Sequence, residues 1–316
     1  MTFEIDYTLI KKACNLLHQS DVVAMPTETV YGLAADATTD QAIVKIYEMK
    51  NRPSFNPLIA HFPDIEAAKK YVHFSKTAEL LAKHFWGLDY HRPLTLVLPR
   101  LENTNLSHLA TAGLDTVAVR VPAHPIALEL LRQFRKPLAA PSANRSNHIS
   151  PTTAEHVRMS FGENAPFILD GGACQIGLES TILDMTQDQP VLLRPGGATV
   201  EEIEDVLKLP VLRHNDPSAT IKAPGMLKRH YAPSLPLRLN VVKPLHGEAF
   251  LGFGHAENAI LNLSPSSNLS EAASNLFSML RDLDNPKFNG IAVMPIPHEG
   301  LGLAINDRLS RAATKS

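Results

Sequence analysis

Two periods of hydrophobicity alternate along the chain. Leu9, Ala13, Leu16 and Leu17 recur at helical spacing and predict a helix over residues 6–19, and residues 22–25 follow as an apolar strand that Pro26 interrupts. From Thr39 the residues Ala42, Ile43, Ile46, Tyr47 and Met49 mark a second helix, which carries Lys50 and Arg52 to its end, where Asn51-Arg52-Pro53 breaks it. Strands are expected over 58–61, 94–98 and 116–122, with helices over 65–72, 76–85 and 125–134. A short strand over 137–140 ends at Pro141, and Ser150-Pro151 reads as a capped helix start running to about residue 160. Further strands fall over 167–170, 179–184 and 191–197, and the capping box Thr199-x-x-Glu202 opens another helix. Strands alternating with helices imply an α/β sheet.

Residues 209–236 carry prolines at 210, 217, 224, 233 and 236 and read as an irregular linker. Beyond it strands over 237–242, 249–253, 259–263 and 291–294 alternate with helices over 270–284 and from Leu303, a small α/β domain. The expected division is therefore a catalytic domain over 1–208, a linker or lid over 209–236 and a small domain over 237–316. The last shows no catalytic constellation, so a lid or regulatory role is expected of it.

Composition narrows the classes. A hydrophobic share of 44%, a charged share of 20% and a net charge of −2 suit an ordinary soluble globular chain with no overall basic field for RNA, DNA or anionic membrane. Cys14 and Cys174 lie far apart and form no CxxC pair, so neither zinc nor a disulfide framework is indicated, and a reduced cytosolic setting fits. The N-terminal residues carry acids early without a long apolar run, unlike a signal peptide, and no run is long enough to span a bilayer.

Chemistry concentrates at strand ends. In 137–151, Ser142, Asn144 and Arg145 form a small-residue platform with donors and acceptors but little bulk, and a capped helix at Ser150 would offer free amides to an anion; the alternative is a polar surface turn. Thr27 and Thr29 share a face of an extended segment, so both hydroxyls can point at one ligand or simply at solvent. Lys50 and Arg52 sit beside a rigid Pro53-to-Pro57 turn and suit a polyphosphate, unless they only complement the helix dipole. Arg120 inside a valine-rich strand calls for an anionic partner or a place at the sheet edge. Arg194 before Pro-Gly-Gly reads as a phosphate-reaching or exposed turn arginine. His61 ends an apolar strand, as a structural histidine commonly does, with no second ligand at metal spacing.

Familiar nucleotide and hydrolase fingerprints are missing. There is no GxxxxGK[ST], HExxH or GxSxG, and Gly252-Phe-Gly254-His-Ala-Glu257 lacks the last glycine of a dinucleotide loop. The ordered stretches MPTETVYGLAADA, KNRPSFNPLIAH, AVRVP, PSANRS, SPT, LESTILD and LLRPGG, with the ending at Gly300–Arg308, instead resemble the YrdC-like family of L-threonylcarbamoyladenylate synthases in its long form. The pattern departs from that family at 86–93 and in the order Leu227-Lys228-Arg229.

The resemblance implies a twisted, open mixed sheet with helices and a smaller Rossmann-like C-terminal domain. It implies joining of L-threonine, bicarbonate and ATP into threonylcarbamoyl-AMP with release of pyrophosphate, the first step toward threonylcarbamoyladenosine in tRNA, with transfer to tRNA left to a separate complex. Lys50, Arg52, Ser142 and Asn144 match the family's ATP-site pairs, and Lys50 and Arg52 are the expected catalytic residues. Asn56, Thr116, Ser150 and Arg194 would join the nucleotide side, while Thr29, His61, Arg120, Ala140 and Ser180 would surround threonine. Magnesium is expected to bridge the phosphates with few protein ligands. The linker of this family can fold over the site, so Tyr231 can stack on or hydrogen-bond the nucleotide, or be a packed tyrosine of a tethering loop. Lys228-Arg229-His230 reads as a triphosphate- or RNA-contacting cluster or as a solvated one. The rivals are an RNA-binding module, opposed by the near-neutral charge, and carbamoyl transfer as in hydrogenase maturation, opposed by the missing zinc-finger cysteines.

Overall fold

The computed structural model describes residues 5–88, 92–213, 223–224 and 230–314. The first unit runs α1 (Tyr7–His18), β1 (Val23–Met25), β2 (Gly32–Asp36), α2 (Asp40–Lys50), β3 (Ile59–His61), α3 (Ile65–Ala68), α4 (Lys76–Phe85), β4 (Leu94–Pro99), β5 (Thr116–Arg120) and α5 (Pro125–Phe134). It continues with β6 (Leu138–Ala139), α6 (Ala154–Phe161), β7 (Phe167–Ile168), β8 (Thr181–Asp184), β9 (Val191–Arg194), α7 (Val200–Leu207) and β10 (Leu212–Arg213). The second unit holds β11 (Leu237–Arg238), β12 (Glu248–Gly252), β13 (Leu261–Asn262), α8 (Leu269–Leu283), β14 (Gly290–Val293) and α9 (Leu301–Ala313).

Ten strands make one mixed sheet in the order β10-β9-β8-β4-β5-β3-β6-β2-β1-β7. β3 and β5 pair in parallel, whereas β4 lies antiparallel to β5 and parallel to β8. Helices cover both faces, as buried strands require. Ile10 and Leu17 of α1 and Leu130 and Leu131 of α5 pack on Val23, Met25 and Leu138. On the other face Ile43 and Ile46 of α2, Leu81 and Phe85 of α4 and Ile203 of α7 share a core with Leu33, Leu96 and Val119. The smaller sheet is ordered β11-β14-β12-β13 with every ladder parallel. Its core, Ala249, Leu251, Phe277, Ile305 and Leu309, also takes in Val30, Ile149, Leu178 and Tyr231, so the two units share apolar packing.

The helix expected from Ser150 starts later. Its cap is Thr153, whose hydroxyl accepts from the His156 amide, while the Ser150 hydroxyl is turned to Glu179 and the Pro151 carbonyl accepts from the Tyr31 amide. The helix begins only at Ala154, so Ser150 does not sit at its N-terminus and offers no capped helix end to an anion. The helix expected over 65–72 closes at Ala68. β2 escaped the sequence pattern because GLAAD has weak strand preference, yet all five residues are buried between β1 and β6. β10, inside the presumed linker, extends the sheet beyond β9.

Candidate active site

Strand ends and loops of the first unit converge on a cavity of about 50 Å³. Of the expected residues, Thr29, Arg52, His61, Arg120 and Ala140 line it, as do Ser142, Ser180, Arg194 and Tyr231. Lys50, Asn56, Asn144 and Ser150 are buried away from that lining, and Thr116, at the start of β5, is half-buried and also outside it.

The end of α2 explains how two cations turn inward. Asn51 caps it in the left-handed region at φ 51°, and the Arg52 amide donates to the Tyr47 carbonyl, reversing the chain. Lys50 is 1% exposed, and its Nζ donates to the carbonyls of Ser142 and Asn144, each at 2.5 Å. The helix-dipole alternative therefore does not account for it. Burial, and then the charge of Arg52, push the ammonium well below the usual lysine range. Asn144 fixes the same loop, its amide donating to the carbonyls of His148 and Ile149. Arg52 donates from Nε to the Asn56 carbonyl at 3.1 Å and from Nη2 to the Pro57 carbonyl at 2.9 Å. The proline-bounded turn is its cradle, and burial lowers this guanidinium to about 10.

Arg194, at the end of β9, donates to the Ser180 carbonyl at 2.8 Å and to the Pro224 carbonyl at 3.3 Å. Its neighbour Gly196 is forced by contact: a Cβ there would lie 2.3 Å from backbone atoms of Ser180 and Thr181. The Ser180 hydroxyl is 2.7 Å from that of Thr95. Among the described residues, Lys50, Arg52 and Arg194 make no ion pair with a carboxylate, and their hydrogen bonds go to carbonyl and hydroxyl oxygens.

Arg120 differs. It forms a buried ion pair with Glu28 and donates to the Thr29 hydroxyl at 3.1 Å, which leaves Arg120 Nε and Glu28 Oε2 without partners among the described residues. Thr27 and Thr29 lie in a turn rather than an extended segment, their hydroxyls 2.7 Å apart, and both line the cavity. His61, at the end of β3 beside Arg120, is held down to about 3 by burial and then by the arginine charge, so its ring stays neutral. Its Nδ1 lies 3.1 Å from the Ile59 carbonyl.

The linker contributes Pro224, His230 and Tyr231 to the lining. Tyr231 is buried, stacks on Phe277 of α8 at 5.5 Å and has the Arg308 guanidinium over its ring at 5.1 Å. Lys228 and Arg229 of the expected basic cluster lie outside the described residues. Two residues went unassigned in the sequence although they sit inside matched motifs: Glu28 in TETVYG and Glu179 in LESTILD. A carboxylate inside an apolar stretch was the available signal. Among the described residues no group of three or more His, Cys, Asp or Glu side chains is placed to hold a metal ion, and no helix is long and apolar enough to cross a membrane.

The comparisons with known proteins follow the same division. A Sua5/YciO/YrdC family model, described as telomere recombination, matches residues 15–196, and a model of the threonylcarbamoyl-AMP synthase C-terminal domain matches residues 198–314. The threonylcarbamoyl-AMP synthase of Pyrococcus abyssi is 40% identical over 96% of this chain and 94% of its own length, and that of Bacillus subtilis is 40% identical over 96% and 92%. The crystal structure of P. abyssi Sua5 complexed with L-threonine superposes with a TM-score of 0.89 at 39% identity, covering 98% of this chain and 95% of that one. With near-complete coverage by relatives of that identity and by both domain models, the chain belongs to the threonylcarbamoyl-AMP synthase family, ATP-using enzymes of the nucleotidyltransferase type.

Proposed function

We propose that this cavity is where L-threonine, bicarbonate or carbon dioxide and ATP become threonylcarbamoyl-AMP and pyrophosphate. The observation that carries the reading is the trio Lys50, Arg52 and Arg194, buried cations bonded to neutral oxygens, a field that an incoming triphosphate satisfies. Ser142 and Asn144 share the Lys50 loop, with Asn56, Ser150 and Thr116 in support on the nucleotide side. Arg120 takes the threonine carboxylate in place of Glu28, between Thr29, His61, Ala140 and Ser180.

The threonine amine adds to carbon dioxide, giving a carbamate and releasing a proton. A carbamate oxygen then attacks the α-phosphorus and pyrophosphate leaves with the bond electrons. Positioning and electrostatics suffice, and no covalent enzyme intermediate is needed. The side-chain oxygens lining the cavity are hydroxyls, apart from a Glu179 carboxylate already taken by Ser150 and Arg308, so magnesium would be held through the phosphates rather than by that carboxylate. When bound, magnesium neutralises developing charge on the leaving pyrophosphate. Pro224, His230 and Tyr231 line the same cavity, so they flank the nucleotide there. The product passes to a separate tRNA-modifying complex, with direct RNA binding weak or absent, and the buried free Cys14 and Cys174 suit a reducing cytosol.

The test is pyrophosphate release from ATP with magnesium and bicarbonate, with threonine, with serine and with neither. Threonine-dependent release together with a new adenylate is expected. ATP binding without release would overturn the reading, and RNA retention at physiological salt would overturn its RNA clause.

A further inference from the structure

One carboxylate lining the cavity has no part in the proposed chemistry. Glu179 immediately precedes the Ser180 carbonyl that holds Arg194, and Arg52 lines the same space. A negative charge there competes with triphosphate for these cations. In the structure both carboxylate oxygens are tied: Oε1 accepts from the Ser150 hydroxyl at 2.7 Å, and Oε2 accepts from Nε of Arg308 at 2.7 Å.

Arg308 comes from α9, in the other unit, and is fully buried. It also pairs with Asp307 at 2.6 Å, lies over the Tyr231 ring and leaves its Nη2 without a hydrogen-bond partner among the described residues. An arginine sunk this deep with one donor unsatisfied costs more than a simple staple between units needs to. Burial opposes ionisation of Glu179, yet Arg308 and then Arg194 outweigh it and hold the carboxyl below its ordinary value. The carboxylate is therefore charged, and its choice of cation matters.

We propose that Arg308 is a positioning residue for the nucleotide: it ties the Glu179 carboxylate to the C-terminal unit, so that Arg194 and Arg52 stay available to the phosphates. Without Arg308, Glu179 turns to Arg194 and acts as an internal competitor of ATP. This rests on the reading that the cavity binds ATP, and the tests separate the two.

Steady-state pyrophosphate release and calorimetric ATP titration would be compared for the full chain and for Arg308→Ala, Arg308→Lys, Glu179→Gln and the Arg308→Ala/Glu179→Gln double variant. Arg308→Ala is expected to raise the ATP KM and Kd about tenfold, equivalent to about 1.4 kcal/mol, while the threonine KM stays within about twofold. Arg308→Lys should recover part of the loss. The double variant should recover most of it, since a neutral amide does not compete for a guanidinium. A staple alone would lower thermal stability and kcat without this split and without rescue by Glu179→Gln, and that result overturns the proposal. If Arg308→Ala does not fold, Glu179→Gln alone decides: an unchanged or lower ATP KM is expected, and a severalfold rise overturns it. Unaltered protein that binds ATP but releases no pyrophosphate sinks the functional reading and leaves the titrations to judge Arg308.

Discussion

Burial sets the behaviour of single residues here. Lys50 spends its ammonium on two carbonyls of the loop that carries Ser142 and Asn144. Lys50→Ala is therefore expected to lower turnover by about a hundredfold or more while raising the threonine KM less than about threefold; unchanged turnover with a raised threonine requirement would count against it. His61 gives a pH signature. Its folded-state value, about 3, lies below the value of about 6.5 for a free imidazole. Its contribution is thus complete above pH ~6.5 and is lost as pH falls toward the folded value, at up to about 1.4 kcal/mol per pH unit. Urea unfolding between pH 7 and pH 5 should show this slope together with those of His124, His156 and His230, which burial also holds down, and His61→Asn should reduce it by the share of one proton. The candidate residues were assigned through the resemblance of their motifs, since side-chain type and position left a structural alternative open for each. Glu28 and Glu179 were not, since their partners Arg120 and Arg308 lie 92 and 129 residues away and no local pattern joins them.

Elements with strong local signals formed as read. The helices at Lys76–Phe85 and Pro125–Phe134 match their expected bounds, and the capping box at Thr199 and Glu202 is made in both directions. Differences came where tertiary contacts override the local signal: the Pro151 carbonyl is bonded to the Tyr31 amide and the helix starts after Thr153 instead of Ser150, and β2 is held by its neighbours despite a poor strand composition. The β9 end is where an element meets the site. Gly196→Ala drives a methyl into the Ser180–Thr181 backbone, so we expect a loss of about 2–4 kcal/mol and a displaced Arg194. Denaturant midpoints and the ATP KM should move together in this variant, whereas Gly172→Ala, strained by its φ of 73° but with nothing within 4 Å of its Cβ, should lower the midpoint and leave the ATP KM alone.

At the scale of the molecule the two sheets are separate but their apolar packing is not. Tyr231 bridges them by lying on Phe277, which is completely buried. Phe277→Ala should cost about 3–5 kcal/mol in unfolding free energy and, by loosening Tyr231, change the ATP KM as well; a stability loss with unaltered nucleotide kinetics would show that the bridge is only mechanical. The sequence separated the two units by their strand and helix rhythm and by the prolines between them. It could not show that Val30, Ile149 and Leu178 of the first unit belong to the core of the second, because a shared core leaves no periodic trace.

The sheet order carries a consequence for synthesis of the chain. β4 waits for its parallel partner β8, so a nascent chain stopped before residue 181 exposes an unpaired strand edge in the middle of the future sheet. Glu179 waits longer, since Arg308 emerges 129 residues after it. At about 5–20 residues per second, that interval is roughly 6–26 s. For that time the growing polypeptide has Arg194 but not Arg308 to pair with this acid, and nascent chains held in this window should be the least able to take up ATP.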